Sequence, residues 1–316
     1  MAGKKPPKTI ELCRLPWALV FVWQQHNTGA IANTMITLCL GICAALAWGL
    51  HDFCVRSVSQ SSGIFASLLT VLASGIVILT GVAVVSSNPA GMTALYYQLS
   101  IASGLSFAVA AVALYIAFSI GPVRLVAPII CAYPILSVGW SAATGTAVSV
   151  TQWIAVLTIL IGVSGVAILS DNSQKGPDQN KAVIWATTSA AMFAATFGFG
   201  QSAVAAGDEA LSMLITRTVA FSTVLTMGFV GHQQVKPTKA QLPLLIGMGG
   251  LDTLALGCVS LAGLWPHSEY ATVTSSIFGM VTIILAWAFL KEPMTRAHWI
   301  CVSVTFLGIL SLGMMG

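Results

Sequence analysis

The sequence predicts an all-helical integral membrane protein of ten spans, built as two similar halves. Three observations carry this. From Met35 onward, apolar runs of about 18–24 residues follow one another between brief polar or glycine breaks, and about 20 helical residues cross a hydrocarbon core. Of the 316 residues, 57% are hydrophobic and 7% charged, where a soluble domain carries roughly 25% charge, and the mean hydropathy is +0.90. Finally, the chain repeats itself at an offset of 146 residues. Ser103-Gly104-Leu105-Ser106 returns loosely as Gly249-Gly250-Leu251-Asp252, and Trp153 with Gly162 nine residues later returns as Trp299 with Gly308.

The elements follow in order. Residues 1–34 stand apart: Lys4, Lys5, Lys8 and Arg14 precede an apolar run, Leu15 to Trp23, too short to cross a bilayer. This segment fits a signal peptide with a weak cleavage site at Ala30-Ile31-Ala32, or a leader foreign to the fold. Spans are expected near 35–55, 62–85, 98–119, 123–142, 150–170, 183–205, 210–231, 241–264, 270–290 and 297–315. Each is helical, because lipid offers no partner to a free backbone group and barrel strands would be shorter. The most polar stretch after the leader, Asp171 to Lys181, falls where the first copy ends. Residues 35–170 thus read as one repeat, 171–182 as the linker and 183–316 as the second repeat.

Charge and cysteine usage exclude several classes. The net charge of +4 rests on few residues, with no Lys/Arg cluster dense enough for nucleic acid. Cys13, Cys39, Cys43, Cys54, Cys131, Cys258 and Cys301 form no CxxC pair, and most lie in or beside apolar spans as small hydrophobes, so neither a disulfide framework nor a zinc site is expected. After the leader, Arg56, Arg124, Lys175, Lys181, Lys236, Lys239, Lys291 and Arg296 all fall on one side of the ten-span layout. The positive-inside rule puts that side in the cytoplasm and both termini outside.

Several motifs are similar to a known family. Ala47-Trp48-Gly49-Leu50 with Arg56, then Ala113-Leu114-Tyr115-Ile116-Ala117 with Gly121-Pro122 and Ala132-Tyr133-Pro134-Ile135, resemble the EamA-type permeases of the drug/metabolite transporter superfamily. Ser275-Ser276-Ile277-Phe278-Gly279 and Leu290-Lys291-Glu292-Pro293-Met294 resemble the same unit in the second half. The resemblance covers nearly all of residues 35–315. It implies two inverted five-helix repeats, a central cavity, alternating access, and termini in the cytoplasm, opposite to the charge count. Thr146 stands where the first repeat of such proteins usually has a glutamate, and Gly279 close to where the second usually has a proline.

Ionisable residues inside spans are the informative ones, since each costs about 2.5 kcal/mol or more at mid-bilayer unless paired or hydrated. Arg56 and Arg124 lie near span ends and would snorkel. His51, Asp52, Arg217 and Asp252 lie deeper. Trp48, His51 and Asp52 share a helix face by i, i+3, i+4 spacing; that face suits a bundle interior, where the indole is a flat wall and the carboxylate–imidazole pair can exchange a proton. The blander account is a wet Asp52 with His51 bonded to a carbonyl. Asp252 replaces Ser106 in the repeat comparison, and an Asp252–Arg217 pair would serve either to neutralise two buried charges or to bind a cation or amine in one state. Gln201, after Phe197-Gly198, mirrors Asp52 after Trp48-Gly49, and either binds solute or bridges helices. Tyr133-Pro134 predicts a helix break at mid-span, of the kind carriers place at a substrate site, or a packing kink. Trp265, His267 and Tyr270 fit an interfacial aromatic belt as well as a gate, and Glu269 a wet loop.

One string is enzyme-like. Gly162-Val163-Ser164-Gly165 fits the G-x-S-G around intramembrane serine nucleophiles, but small residues at this spacing far more often pack helices. No phosphate loop, HExxH or metal-ligand cluster occurs, so no catalytic residue, metal or cofactor is expected. The expected function is secondary transport of a small organic metabolite, an amino acid or amine, in the export direction. Protons are the candidate coupling ion, and a bacterial plasma membrane the expected location. Trp48, His51, Asp52, Tyr133, Gln201, Arg217 and Asp252 would bind or couple, and Pro134 would break its helix. The alternative from another class is a flippase for a lipid-linked substrate, whose polar face would open sideways between helices.

Overall fold

A backbone in lipid must satisfy its own hydrogen bonds, and the described chain does so with helices and no strand. The computed structural model describes residues 30–61, 63–87, 92–133, 135–136, 139, 149–171, 178–262, 271 and 274–313. The described residues form ten helices: α1 (Ala30–Ser61), α2 (Ile64–Ser86), α3 (Ala94–Ile120), α4 (Val123–Cys131), α5 (Val150–Asp171), α6 (Gln179–Ala206), α7 (Glu209–Val230), α8 (Leu242–Ala262), α9 (Phe278–Phe289) and α10 (Arg296–Gly313). Seven of them, α1–α3 and α5–α8, are long and apolar enough to cross a membrane. Their outer faces carry exposed apolar side chains such as Val77, Val84, Ile161 and Phe229, the surface that lipid solvates.

The fourth and ninth elements are shorter than the spans expected at 123–142 and 270–290, and α4 stops just before the break expected at Tyr133-Pro134. The nine residues of α4 rise only about 14 Å. The helix ends in tighter i→i−3 bonds, from Ala132 N to Ile129 O and from Tyr133 N to Ile130 O. A proline next in sequence explains the stop, since its ring clashes with the carbonyl four residues back; Pro134 itself lies outside the described residues. The twelve residues of α9 begin only at Phe278, after a turn at Ser276-Ile277.

Helix ends find polar partners. Thr93 caps α3 by accepting from Tyr96 N, and Asp208 caps α7 by accepting from Leu211 N at 2.8 Å. The end of α7 closes with His232 at φ 50° and a bond from Gln233 N to Gly228 O, a Schellman arrangement.

Between helices, lipid supplies no hydrophobic driving force, so close approach and dispersion must hold the bundle. The principal pairings are α3 on α6 and α7, α8 on α1 and α2, α4 on α6, α9 on α1, and α2–α7, α4–α9 and α5–α10. Exchanging each helix of the first five with its counterpart in the last five returns the same set; the α1–α3 contact, as extensive as α4–α9, has no comparable counterpart between α6 and α8. At the α5–α10 crossing, a Cβ on Gly162 would lie 2.3 Å from Thr305 Oγ1, and one on Gly308 would lie 3.1 Å from Ala155 O and 2.7 Å from Ile159 Cγ1. The 146-residue offset carries Ala155, Ile159 and Gly162 onto Cys301, Thr305 and Gly308, so the repeated glycines pack against each other's related partners. Gly165 packs on Cys301 of α10 while Ser164 is exposed, which makes Gly162–Gly165 a packing surface.

All described Lys and Arg except Arg217 lie at one end of the bundle. There Gly63 meets Gln234, Gly121 meets Ala182, and Glu292 reaches the start of α4. Arg124 does not snorkel, as its position suggested; it is 4% exposed and donates to Pro293 O at 2.6 Å. Arg56 turns inward as well, donating to Phe118 O with its Nε 3.9 Å from Glu292 Oε1. At the opposite end Asp208 accepts from Ser87 Oγ through its carboxylate and from Tyr96 OH through its carbonyl. The main apolar core, including Val55, Leu68, Phe118, Leu125 and Ile130, belongs to the cationic end and the helices that converge there.

Candidate functional site

Above that core lies a cavity of about 530 Å³. Its lining runs from Leu68 and Ile130 up to Val204, Glu209 and Ser212 at the α6–α7 end, and includes no described residue of the cationic-end connections. Helices α1, α2, α3, α6, α7 and α8, with Ile130 near the end of α4, Tyr133 just after it and Phe278 at the start of α9, form its wall.

Seven residues singled out in the sequence, Trp48, His51, Asp52, Tyr133, Gln201, Arg217 and Asp252, line this one cavity. On α1, spacing puts Trp48, His51 and Asp52 on the inner face, where His51 Nδ1 lies 3.0 Å from Asp52 Oδ1 and both residues are buried. Across the α1–α8 seam, Trp48 Nε1 donates to Asp252 Oδ1 at 3.0 Å. The other Asp252 oxygen pairs with the guanidinium of Arg217 from α7. Arg217 also sits over the Phe107 ring, 4.4 Å from its centroid. The two carboxylates thus have different partners. Asp252 is saturated by a cation and an indole, whereas Asp52 has a single imidazole. With His51 neutral the four groups carry one net negative charge; with His51 protonated they carry none.

The opposite wall is aromatic. Tyr133 and Phe197 have ring centroids 5.1 Å apart, Phe193 and Phe197 stack at 6.2 Å, and Phe107 meets Phe193 edge-on at 5.9 Å. Phe107 and Phe193 were not singled out in the sequence. The i, i+4 spacing of Phe193 and Phe197 was a usable signal, but an aromatic stripe on a span reads equally as lipid-facing. Trp48 and Phe278 form a second edge-on pair at 5.9 Å. It relates to Tyr133–Phe197 by the same exchange of halves that relates the helices: α1 with α9 against α6 with α4. Gln201 takes the place of Asp52 on the neutral side. It is hydrogen-bonding but uncharged, so the cavity has one ionic and one aromatic wall.

The repeat register at α8 needs a correction. A Cβ on Gly104 would clash with Thr216 O and Val219, and one on Gly249 with Val71 O and Ser74. These contact sets superpose at an offset of 145, not 146, so Asp252 stands opposite Phe107 rather than Ser106. Arg217 therefore bridges two related positions, Asp252 on one side and the Phe107 face on the other. Sequence comparison alone missed this because glycine at 249 and 250 allows either register. Among the described residues no group of three His, Cys, Asp or Glu could hold a metal. Thr146, Trp265, His267, Glu269 and Tyr270 lie outside the described residues.

Comparisons with known proteins bear on the family and the fold. No curated protein matches the chain significantly. A solved structure titled only "Crystal structure of protein" superposes with a TM-score of 0.58 at 12% identity, covering 89% of this chain and 99% of that one, a likeness of fold alone. Residues 180–314 match the EamA-like transporter family. That match spans the second half of this multi-pass membrane protein, and the family it resembles there is one of the drug/metabolite transporter superfamily.

Proposed function

We propose that the chain is a secondary transporter that exports a small organic metabolite, an amino acid or amine, across the plasma membrane by alternating access. The observation that carries this is the cavity itself: a space of about 530 Å³ with one ionic wall and one aromatic wall, enclosed by helices from both halves. The first half contributes His51 and Asp52, the second Arg217 and Asp252. Residues 35–170 and 183–316 act as inverted five-helix repeats about an axis in the membrane plane; the exchange-invariant helix pairings and the glycine contacts support this.

The solute's apolar body stacks on the Phe193–Phe197–Tyr133 wall, and its ammonium group pairs with Asp52. A proton on the His51–Asp52 pair and a cationic solute compete for the same negative charge, so binding of one favours release of the other, the requirement for antiport. The lining by six helices plus Ile130, Tyr133 and Phe278 favours a carrier over a flippase, whose polar face would open between two helices toward lipid.

The test is twofold. A thermal-stability screen against amino acids, amines and sugars identifies binders by mass action, and the binders are then assayed for pH-gradient-driven movement in liposomes. Stabilisation by an amine or amino acid that is lost in Asp52→Asn supports the reading. A protein that neither binds nor moves any amine or amino acid sinks it.

A further inference from the structure

We infer that Glu292 is a latch between the two halves that holds the cationic end of the bundle shut, and that breaking it lets that end open; the inference rests on the alternating-access reading above.

A helix N-terminus presents backbone N–H groups with no partner within the helix, and its partial positive charge favours an anion. At α4 the residue before the helix is Pro122, whose side chain makes no capping bond. The anion comes instead from the other half of the chain. Glu292, in the α9–α10 connection, accepts from Val123 N at 3.0 Å with Oε1 and from Arg124 N at 3.2 Å with Oε2. Arg124 returns the contact by donating to Pro293 O, and Arg56 of α1 approaches Glu292 Oε1. Charge-assisted bonds of this kind are about twice as strong as neutral ones.

Two features mark this as a device that moves rather than a permanent strut. The first is position. The described lining of the cavity extends toward the α6–α7 end and stops before the connections bridged by Glu292, so the latch crosses the end that is closed. The second is incomplete satisfaction. Arg56 Nε, Arg124 Nε and His298 Nε2 are buried without a hydrogen-bond partner around the same contact. A strut at its optimum would use those donors, whereas a latch with two arrangements need not use them all in one.

The experiment measures the closed end directly. In a full-length background with the seven native cysteines replaced by alanine, spin labels are placed at Ser61→Cys in the first half and Ala297→Cys in the second. Distances between them are recorded by pulsed electron paramagnetic resonance in liposomes. The parent should give one short, narrow distribution. E292Q and E292A should each move population to a longer distance, changing the ratio of open to closed about tenfold. D178N, which breaks the exposed Lys181–Asp178 pair at the same end, should change nothing. If E292A does not fold, E292Q decides alone, because its amide oxygen still caps one N–H group. An unchanged distribution in E292Q overturns the latch, and a lowered Tm beside it identifies Glu292 as a static brace. The readout needs no solute, so failure of the transport reading shows separately, in the liposome assay.

Discussion

Arg217 of α7 and Asp252 of α8 meet in the wall of the cavity as a buried ion pair, with side chains 7% and 13% exposed. Removing one member leaves the other charged, desolvated and uncompensated, which costs about 3–5 kcal/mol, whereas removing both costs far less. Arg217→Met should therefore destabilise strongly, and Arg217→Met/Asp252→Asn should recover most of the loss. Thermal unfolding of the purified variants in a double-mutant cycle measures this. Additive losses would mean that the pair is not the partnership that neutralises these charges.

The α5–α10 crossing should be the least tolerant point of the bundle. A Cβ at Gly162 would lie 2.3 Å from Thr305 Oγ1 and 2.7 Å from its backbone nitrogen, and one at Gly308 would lie 3.0 Å from Ile159 N. Backbone neighbours cannot step aside, so the helices must separate, and overpacking of this kind costs about 1–3 kcal/mol. Gly162→Ala and Gly308→Ala should each lower Tm. Gly257→Ala, where a Cβ meets nothing within 4 Å, should be neutral or slightly stabilising, because alanine is the better helix former by about 1 kcal/mol. Thr305→Ala should rescue Gly162→Ala only in part, since the backbone contact remains.

Much of this was legible in the sequence, for physical reasons that differ by feature. Lipid forces helices of a set length, so long spans such as Ile64–Ser86 and Glu209–Val230 declare themselves. Buried charge is expensive in lipid, so the few ionisable groups inside spans converged on one cavity, and His51, Asp52, Arg217 and Asp252 could be named without coordinates. What the sequence hid was relational. The short α9 sits inside an apolar run that hydropathy reads as continuous, whereas Tyr133-Pro134 announced the end of α4. The register opposite Asp252 was ambiguous across Gly249-Gly250, and only contacts with Val71 and Ser74 fix it. Arg124 looked like a snorkelling cation because its acceptor, Pro293 O, is 169 residues away in sequence. Phe107 and Phe193 went unnamed because an aromatic residue is at home facing lipid or cavity, so even the i, i+4 spacing of Phe193 and Phe197 did not decide between them.

Trp48 should contribute through its N–H as well as its ring. Trp48→Phe keeps an aromatic group near Phe278 but leaves Asp252 Oδ1 without its donor at 3.0 Å. An unsatisfied buried acceptor costs about 1–3 kcal/mol. Tm should fall by that equivalent, and any cationic solute should bind more tightly to the variant, because Asp252 then has spare capacity. Isothermal titration with an amine identified in the stability screen measures the second effect. Equal affinity in the two proteins would place the solute away from Asp252.

The two carboxylates of the cavity should fail differently under a proton gradient. Asp52 has one partner, the imidazole of His51 at 3.0 Å, and Asp252 has two, of which one is permanently charged. A proton can therefore be gained and lost at the His51–Asp52 pair without breaking an ion pair, whereas protonating Asp252 would abandon Arg217. Asp52→Asn should abolish accumulation of solute driven by a pH gradient, by about tenfold or more, while solute-for-solute exchange across a liposome membrane, weakened by loss of the ammonium's partner, persists at raised solute concentration, since exchange needs no proton. His51→Gln should act in the same direction through the same pair. Asp252→Asn should depress exchange and gradient-driven movement together, because it disturbs the cavity itself. Gradient-driven accumulation that survives in Asp52→Asn would locate proton coupling outside this pair.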